Sequence, residues 1–221
     1  MTTYHKIMGP FLRHTEGPNR NKIIPWAWST PEFEKLAELD WHWTEKIDGT
    51  NIRVVWDGNR VVFGGKSDNA QIPAKLLDNL RAAFPEELLE QQFGSTHAVL
   101  YGEGFGPKIQ KVGHLYGHEQ KFILFDVKVG DWWLLPSNVF AIANQLGIPS
   151  VPYAGSFDVY EAIRDVNKGI KSSFGDFYAE GLVGRPPLGI TSRTGDRMLM
   201  KVKHADLYGV DLTVLGTGGA A

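Results

Sequence analysis

The chain has 221 residues, 43% hydrophobic and 22% charged, which is long enough to bury a sizeable core as one large domain or one domain with a small appendage. Its 23 basic and 25 acidic residues leave a net charge of −2, which excludes a global basic field, so a nucleic-acid partner would need positive charge gathered locally. Zero cysteines exclude a disulfide framework, a Cys-ligated zinc site and a thiol nucleophile, and no run has the length of a membrane span or signal core, so a cytoplasmic protein is expected. Residues 9–25, rich in Pro, Gly, Asn and Arg, read as an extended, partly exposed lead-in. Ser29-Thr30-Pro31-Glu32 is a helix start with a hydroxyl cap and Pro in the first turn, and that helix is expected to run to about Leu39. Trp41 to Lys46 and Asn51 to Trp56 alternate as strands, and Asp57-Gly58 turns the chain into Val61-Val62-Phe63. Residues 73–92 read as one or two helices broken at Pro85, and His97 to Tyr101 as a short apolar strand. Phe122 to Val129 and Trp132 to Leu135 form a hairpin about Gly130-Asp131. Helices are expected near 137–146 and 158–168, and strands at 178–185, 197–203 and 207–215. Strands that follow one another through hairpins, with helices inserted, argue for an α+β domain of antiparallel sheets with flanking helices. It is expected to span 1–215, with the lead-in and first helix in 1–40 and a flexible Gly-rich tail at 216–221.

Some motifs fail on their spacing. Gly64-Gly65-Lys66-Ser67 resembles the end of a P-loop, but its leading Gly would fall at Arg60 and no helix signal follows directly. Gly102-Glu103-Gly104-Phe105-Gly106 lacks the dinucleotide-binding spacing, and its Glu would repel a pyrophosphate. His114 and His118 flank a loop and read as surface histidines rather than a metal pair. Trp26/Trp28 and Trp132/Trp133 read as core and hairpin packing rather than base-stacking platforms.

Lys46-Ile47-Asp48-Gly49 survives this filter. It places a lysine at the mouth of a Gly turn, where its amine could meet a nucleotide phosphate. A lysine amine is a nucleophile only when unprotonated, and neighbouring cations lower its pKa. Lys201 and Lys203 lie two apart on one strand and so share a face. Lining the Lys46 pocket, that face would depress the nucleophile's pKa, hold a triphosphate and put positive charge on a phosphoryl transition state. Taken alone the pair reads equally well as an exposed strand face. Glu103 and Glu180 each end or start an apolar strand beside glycines, from which a carboxylate can reach into a cleft; alone, each is a loop-edge acid in water.

Together these stretches resemble the covalent nucleotidyltransferases, and among them the ATP-dependent RNA ligases of the bacteriophage T4 RNA ligase 2 type. The resemblance runs through Glu45-Lys46-Ile47-Asp48-Gly49-Thr50-Asn51, then Tyr101 to Pro107 with Ile109-Gln110-Lys111, then Phe122 to Val127. Glu180 to Pro186 and Leu199 to Lys203 complete it. All five stretches appear in order and span residues 45 to 203. The resemblance implies ATP as cofactor, with AMP carried covalently on Lys46, and Mg²⁺ or Mn²⁺ as metal. It implies a nucleotide site of Glu45 and Phe125 at the purine, Ile47 beside the nucleophile, Asn51 at the phosphates, Lys66 and Glu103 at the ribose, and Glu180, Lys201 and Lys203 at the phosphates. Glu180 is also the implied metal ligand. Lys66 is a departure, since these ligases commonly have an arginine there and lysine keeps the charge without the bidentate fork.

The implied reaction joins 5′-phosphate and 3′-hydroxyl RNA ends through a lysyl-AMP and an adenylylated 5′ end. Ligases of this type usually carry a further domain after the fifth motif, and only 18 residues follow Lys203. No C-terminal OB or helical domain is therefore expected. The chain then reads as a minimal core, a fragment, or a subunit whose RNA contacts come from an accessory partner. Two other readings stay open: a DNA-sealing or other covalent nucleotidyltransferase, and a non-catalytic nucleotide- or RNA-binding module.

Overall fold

A computed structural model describes residues 4–212. In chain order the elements begin with β1 (Phe11–Arg13), β2 (Ile23–Trp28), α1 (Pro31–Lys35), β3 (Trp41–Lys46), β4 (Thr50–Trp56) and β5 (Val61–Gly64). Then come α2 (Ala74–Ala83), α3 (Glu86–Phe93), β6 (Ala98–Phe105), β7 (Lys121–Val129), β8 (Trp132–Trp133) and α4 (Pro136–Leu146). The series closes with β9 (Tyr153–Phe157), α5 (Val159–Lys168), β10 (Gly181–Arg185), β11 (Met200–Lys203) and α6 (His204–Leu207). The strands pair antiparallel and helices flank them, an α+β arrangement. Two compact units result. One holds Ile47–Val151 with Tyr4 and His5, and the other holds Lys6–Lys46 and the chain from Pro152 onward.

In the unit that ends at Lys46, the main sheet has the order β11-β10-β3-β9, and β1 and β2 form a separate hairpin. Alternation sets its faces. Trp41, Trp43, Leu182, Met200 and Val202 are buried against Val159, Ala162, Ile163 and Val166 of α5. Those four lie at the i, i+3, i+4, i+7 spacing of one helix face, and Asp158 caps the helix by accepting from the Glu161 N–H at 2.7 Å.

In the other unit the order is β5-β4-β6-β7-β8. Ile52, Val54 and Trp56 on one face of β4 pack with Leu76 and Leu80 of α2, Leu89 of α3 and Val139 of α4. The opposite face carries Asn51, Arg53 and Val55 beside Glu103, Tyr101 and Val99 of β6.

Some expectations are corrected. The helix starting at Pro31 leaves helical geometry at Leu36 rather than Leu39, because the Ala37 carbonyl turns away to accept from the Val159 N–H at 2.9 Å. The lead-in contains the β1–β2 hairpin, and a strand over 153–157 was not anticipated. The strand expected at 207–215 does not form over 207–212: residues 204–207 are a helical turn, closed by Tyr208 N–H donating to the His204 carbonyl at 2.8 Å, and 213–215 lie outside the described residues. The expected tail at 216–221 lies outside the described residues.

Candidate functional site

β10 lies between β3 and β11, and Gly181 is the register partner of both Lys46 and Lys203, with Val183 opposite Lys201. Positions of one parity on three adjacent strands therefore put Lys46, Lys201 and Lys203 on one sheet face. Gly181 permits this approach, since a Cβ there would sit 1.9 Å from the Val202 carbonyl oxygen. Glu180, the residue before it, spans two of the cations. Lys46 Nζ donates to its Oε2 at 2.6 Å, and Lys203 Nζ lies 2.7 Å from Oε1. Lys201 has no ion pair among the described residues. Burial, then the charges of Lys203 and Lys46, hold its pKa below the ordinary lysine value. Glu180 thus pairs with two of the three lysines on this face and leaves Lys201 unpaired among the described residues, and the surplus positive charge suits a polyanion.

Glu45 is placed elsewhere. Alternation along β3 turns its side chain to the opposite face, where it is 5% exposed. Its Oε1 accepts from the Ser172 hydroxyl at 2.6 Å and its Oε2 from the Ser173 N–H at 2.9 Å. Both carboxylate oxygens are thus committed to the 172–173 segment.

The unit that starts at Ile47 brings together Asn51, Glu103 and the Gly turn. Asn51 and Glu103 are direct cross-strand partners on β4 and β6. A Cβ at Gly49 would meet the Gly104 carbonyl oxygen at 2.3 Å and Glu103 Cγ at 2.7 Å, so glycine alone lets the turn lie against β6. Asn51 Oδ1 is buried and has no hydrogen-bond partner among the described residues, an acceptor that a ligand donor would satisfy. Ile47 is buried, Phe125 is half-buried and Lys66 is exposed. Phe125 falls where the β6–β7 register shifts between Tyr101 and Gly102, as bulges beside sites re-aim a side chain. Its ring meets Tyr4 edge-on at 5.2 Å.

Tyr116 and Arg53 escaped the motif reading, and Gln110, inside the resemblance, was given no role. Tyr116 accepts the Asp48 N–H on its hydroxyl at 3.1 Å, and Gln110 Nε2 donates to the Gly49 carbonyl at 2.8 Å, bracing the turn after Lys46 from the 106–117 loop. Arg53, fully buried, donates from Nε to the Gly65 carbonyl at 2.8 Å and from Nη2 to Asp68 at 2.9 Å, tying down the segment that carries Lys66. A lone arginine inside Ile52-Arg53-Val54-Val55 was the available signal. Among the described residues no cluster of three or more His, Cys, Asp or Glu could hold a metal by itself. No helix among the described residues is long and apolar enough to cross a membrane.

The sequence pattern of the RNA ligase family matches residues 39–203. Among solved structures, an apo RNA ligase variant from Naegleria gruberi superimposes with a TM-score of 0.64 at 22% identity, over 80% of this chain and 53% of that one. Another variant of that ligase, with ATP and Mn, gives 0.66 at 18% identity, over 93% of this chain and 62% of that one. The chain thus spans about half to three fifths of the length of those ligases. No curated protein matches.

Proposed function

This chain belongs to the RNA ligase family, and on that premise we propose that it joins RNA ends through a covalent adenylate on Lys46. One observation carries the reading: Lys46 Nζ is held 2.6 Å from Glu180 on a face it shares with Lys201 and Lys203. In the first step the unprotonated Lys46 amine attacks the α-phosphorus of ATP. A nitrogen–phosphorus bond forms, the bond to the bridging oxygen breaks, pyrophosphate leaves and the amine loses its proton. In the second, an oxygen of an RNA 5′-phosphate attacks the same phosphorus and Lys46 departs, taking up a proton. In the third, a 3′-hydroxyl attacks the activated 5′-phosphorus and loses its proton, the phosphodiester closes, and the bond to the bridging oxygen breaks to release AMP.

Each step asks for in-line placement and charge neutralisation more than acid–base chemistry. Lys201 and Lys203 supply positive charge to the phosphate oxygens, and Glu180 orients Lys46 and Lys203 before the nucleotide enters. Asn51 presents its unpartnered oxygen to a ligand hydroxyl or amide, Glu103 accepts from the ribose hydroxyls, and Phe125 offers a ring face to the purine. Lys66 contributes a point charge at the ribose and phosphate, and Ile47 apolar contact. Glu45 acts through the 172–173 segment that its carboxylate holds. Mg²⁺ or Mn²⁺ carried on the triphosphate, with Glu180 as a ligand, would offset phosphate charge.

The test is label transfer from α-labelled ATP to wild type and Lys46→Ala on a denaturing gel, with divalent metal. Label on wild type and at least about a thousandfold less on the variant is the expected result. Sealing of a 3′-OH RNA nick but not of the matching DNA nick would then identify the polynucleotide. Undiminished label on Lys46→Ala would overturn the assignment.

A further inference from the structure

Positive charge is concentrated outside the lysine cluster as well. Residues 6–22 carry Lys6, Arg13, Arg20 and Lys22 against Glu16 alone, a net +3. The rest of the chain carries 19 basic and 24 acidic residues, a net −5. This stretch precedes the family-matched region, which starts at residue 39. It builds the β1–β2 hairpin, whose tip, residues 15–22, is exposed throughout.

The tip is held by its own backbone. His14 N–H donates to the Lys22 carbonyl at 3.0 Å, Asn21 N–H to His14 at 2.8 Å, Lys22 N–H to Asn19 at 2.9 Å and Arg20 N–H to Gly17 at 3.1 Å. Asn21 adopts φ 70°, a left-handed turn conformation that asparagine tolerates. Arg13 spends its guanidinium internally, donating to the Asn21 carbonyl at 2.7 Å and pairing with Asp206 of α6. Lys6, Arg20 and Lys22 are exposed and have no ion pair among the described residues. Their charge faces solvent on a preset frame.

The hairpin is rooted on the strand that bears the phosphate-side lysines. Lys201 N–H donates to the Met8 carbonyl at 2.9 Å, and Met8 bridges Met200 in parallel. Gly9, Arg13, Lys203 and Asp206 line one small recess at this junction. Within this one unit, Lys201 and Lys203 on the strand, Arg13 at the recess and Arg20 and Lys22 at the tip supply cations, with Glu180 paired to Lys203, Asp206 paired to Arg13 and Glu16 in the tip as the acids.

We propose that the β1–β2 hairpin is a docking surface for the phosphodiester backbone of the RNA strand being joined, with Arg20 and Lys22 as its phosphate contacts. Charge complementarity selects this occupant, because in a chain of net −2 this segment supplies the local positive field that a polynucleotide requires. Contacts of this kind position a strand without reading its bases. The inference rests on the RNA-joining activity proposed above.

The experiment compares wild type, Arg20→Gln/Lys22→Gln and Arg20→Glu/Lys22→Glu. Binding is read by fluorescence anisotropy of a labelled 5′-phosphorylated single-stranded RNA of 20 nucleotides across a salt series. Joining of a 5′-adenylylated RNA to a 3′-hydroxyl strand is followed without ATP. Lysyl-adenylate formation uses no RNA and reports whether the fold and nucleotide site persist. We expect about tenfold weaker binding for the neutral pair, a larger loss for the reversed pair, and a salt slope lower by about 0.7 for each contact removed. Joining at subsaturating RNA should fall in parallel while the lysyl-adenylate still forms. Wild-type affinity and salt slope in both variants would overturn the proposal and leave the hairpin to an acidic protein partner or to solvent. A wild type that forms no lysyl-adenylate would refute the activity instead, and the anisotropy comparison would still judge the hairpin.

Discussion

Lys201 differs from the other two lysines in having no carboxylate within ion-pair distance among the described residues, and this shapes both its titration and its cost. Burial, with Lys203 and Lys46 nearby, holds its pKa below the ordinary value. A lysine whose folded pKa lies below its unfolded pKa opposes folding while it is charged. The penalty is complete at neutral pH and fades as pH rises through the folded value towards the unfolded one. Lys201→Met removes the charge and keeps most of the length, so its melting temperature should exceed that of wild type at pH 7. The advantage should shrink as the pH of the melt approaches the ordinary lysine range. Adenylylation should fall at least about a hundredfold in the same variant, because a cation aimed at developing phosphate charge is lost. Melts of both proteins at pH 7 and pH 9.5, with label transfer beside them, check this; a variant less stable at pH 7 and more so at pH 9.5 would reverse the sign and refute it.

At the scale of elements, the turn after Lys46 is set by three neighbours: the β6 backbone against Gly49, Tyr116 at the Asp48 N–H and Gln110 at the Gly49 carbonyl. Gly49→Ala would place a methyl 2.3 Å from a backbone oxygen, which no side-chain rotation relieves. A loss of about 1–3 kcal/mol is expected from such overpacking, with adenylylation reduced more than a general loss of stability explains. Tyr116→Phe removes one hydrogen bond and no bulk, so about 1 kcal/mol is expected. Denaturant titrations separate the two. The strands on either side of this turn were legible because Ile52, Val54 and Trp56 alternate with Asn51, Arg53 and Val55. That they belong to different sheets was not legible, because strand alternation is local and pairing is decided by partners such as Gly181 and Gly104 far along the chain. β9 escaped because Ala154-Gly155-Ser156 reads as loop, and it is a strand only through pairing with β3. The order of the five motifs reached the family. The opposite facing of Glu45 followed from alternation, but its partners Ser172 and Ser173, 127 and 128 residues on, did not.

On the scale of the molecule, one unit packs a core around Trp41, Trp43 and α5, and the other packs one around Ile52, Trp56 and α2 to α4 with a smaller cluster of Val55, Val99 and Tyr101. The chain passes between the two units at His5–Lys6, at Lys46–Ile47 and again at Val151–Pro152. A ligand that binds only the folded protein stabilises it by mass action. At a concentration one hundred times its dissociation constant, such a ligand adds about 2.7 kcal/mol. For a chain of this length that is roughly 5–10 °C in melting temperature. Lys46→Ala should keep most of this shift with ATP and Mg²⁺, because Lys201, Lys203, Glu103 and Asn51 remain, while forming no adenylate. Lys203→Ala should lose more of it than Lys46→Ala, because one of the two lysines proposed for the phosphates is gone and Glu180 is left with Lys46 alone. A differential scan of the three proteins with and without ATP therefore separates nucleotide binding from chemistry. A shift in wild type without a lysyl-adenylate would describe a binding module, and no shift in wild type or Lys46→Ala at millimolar ATP would remove the nucleotide site from these residues altogether.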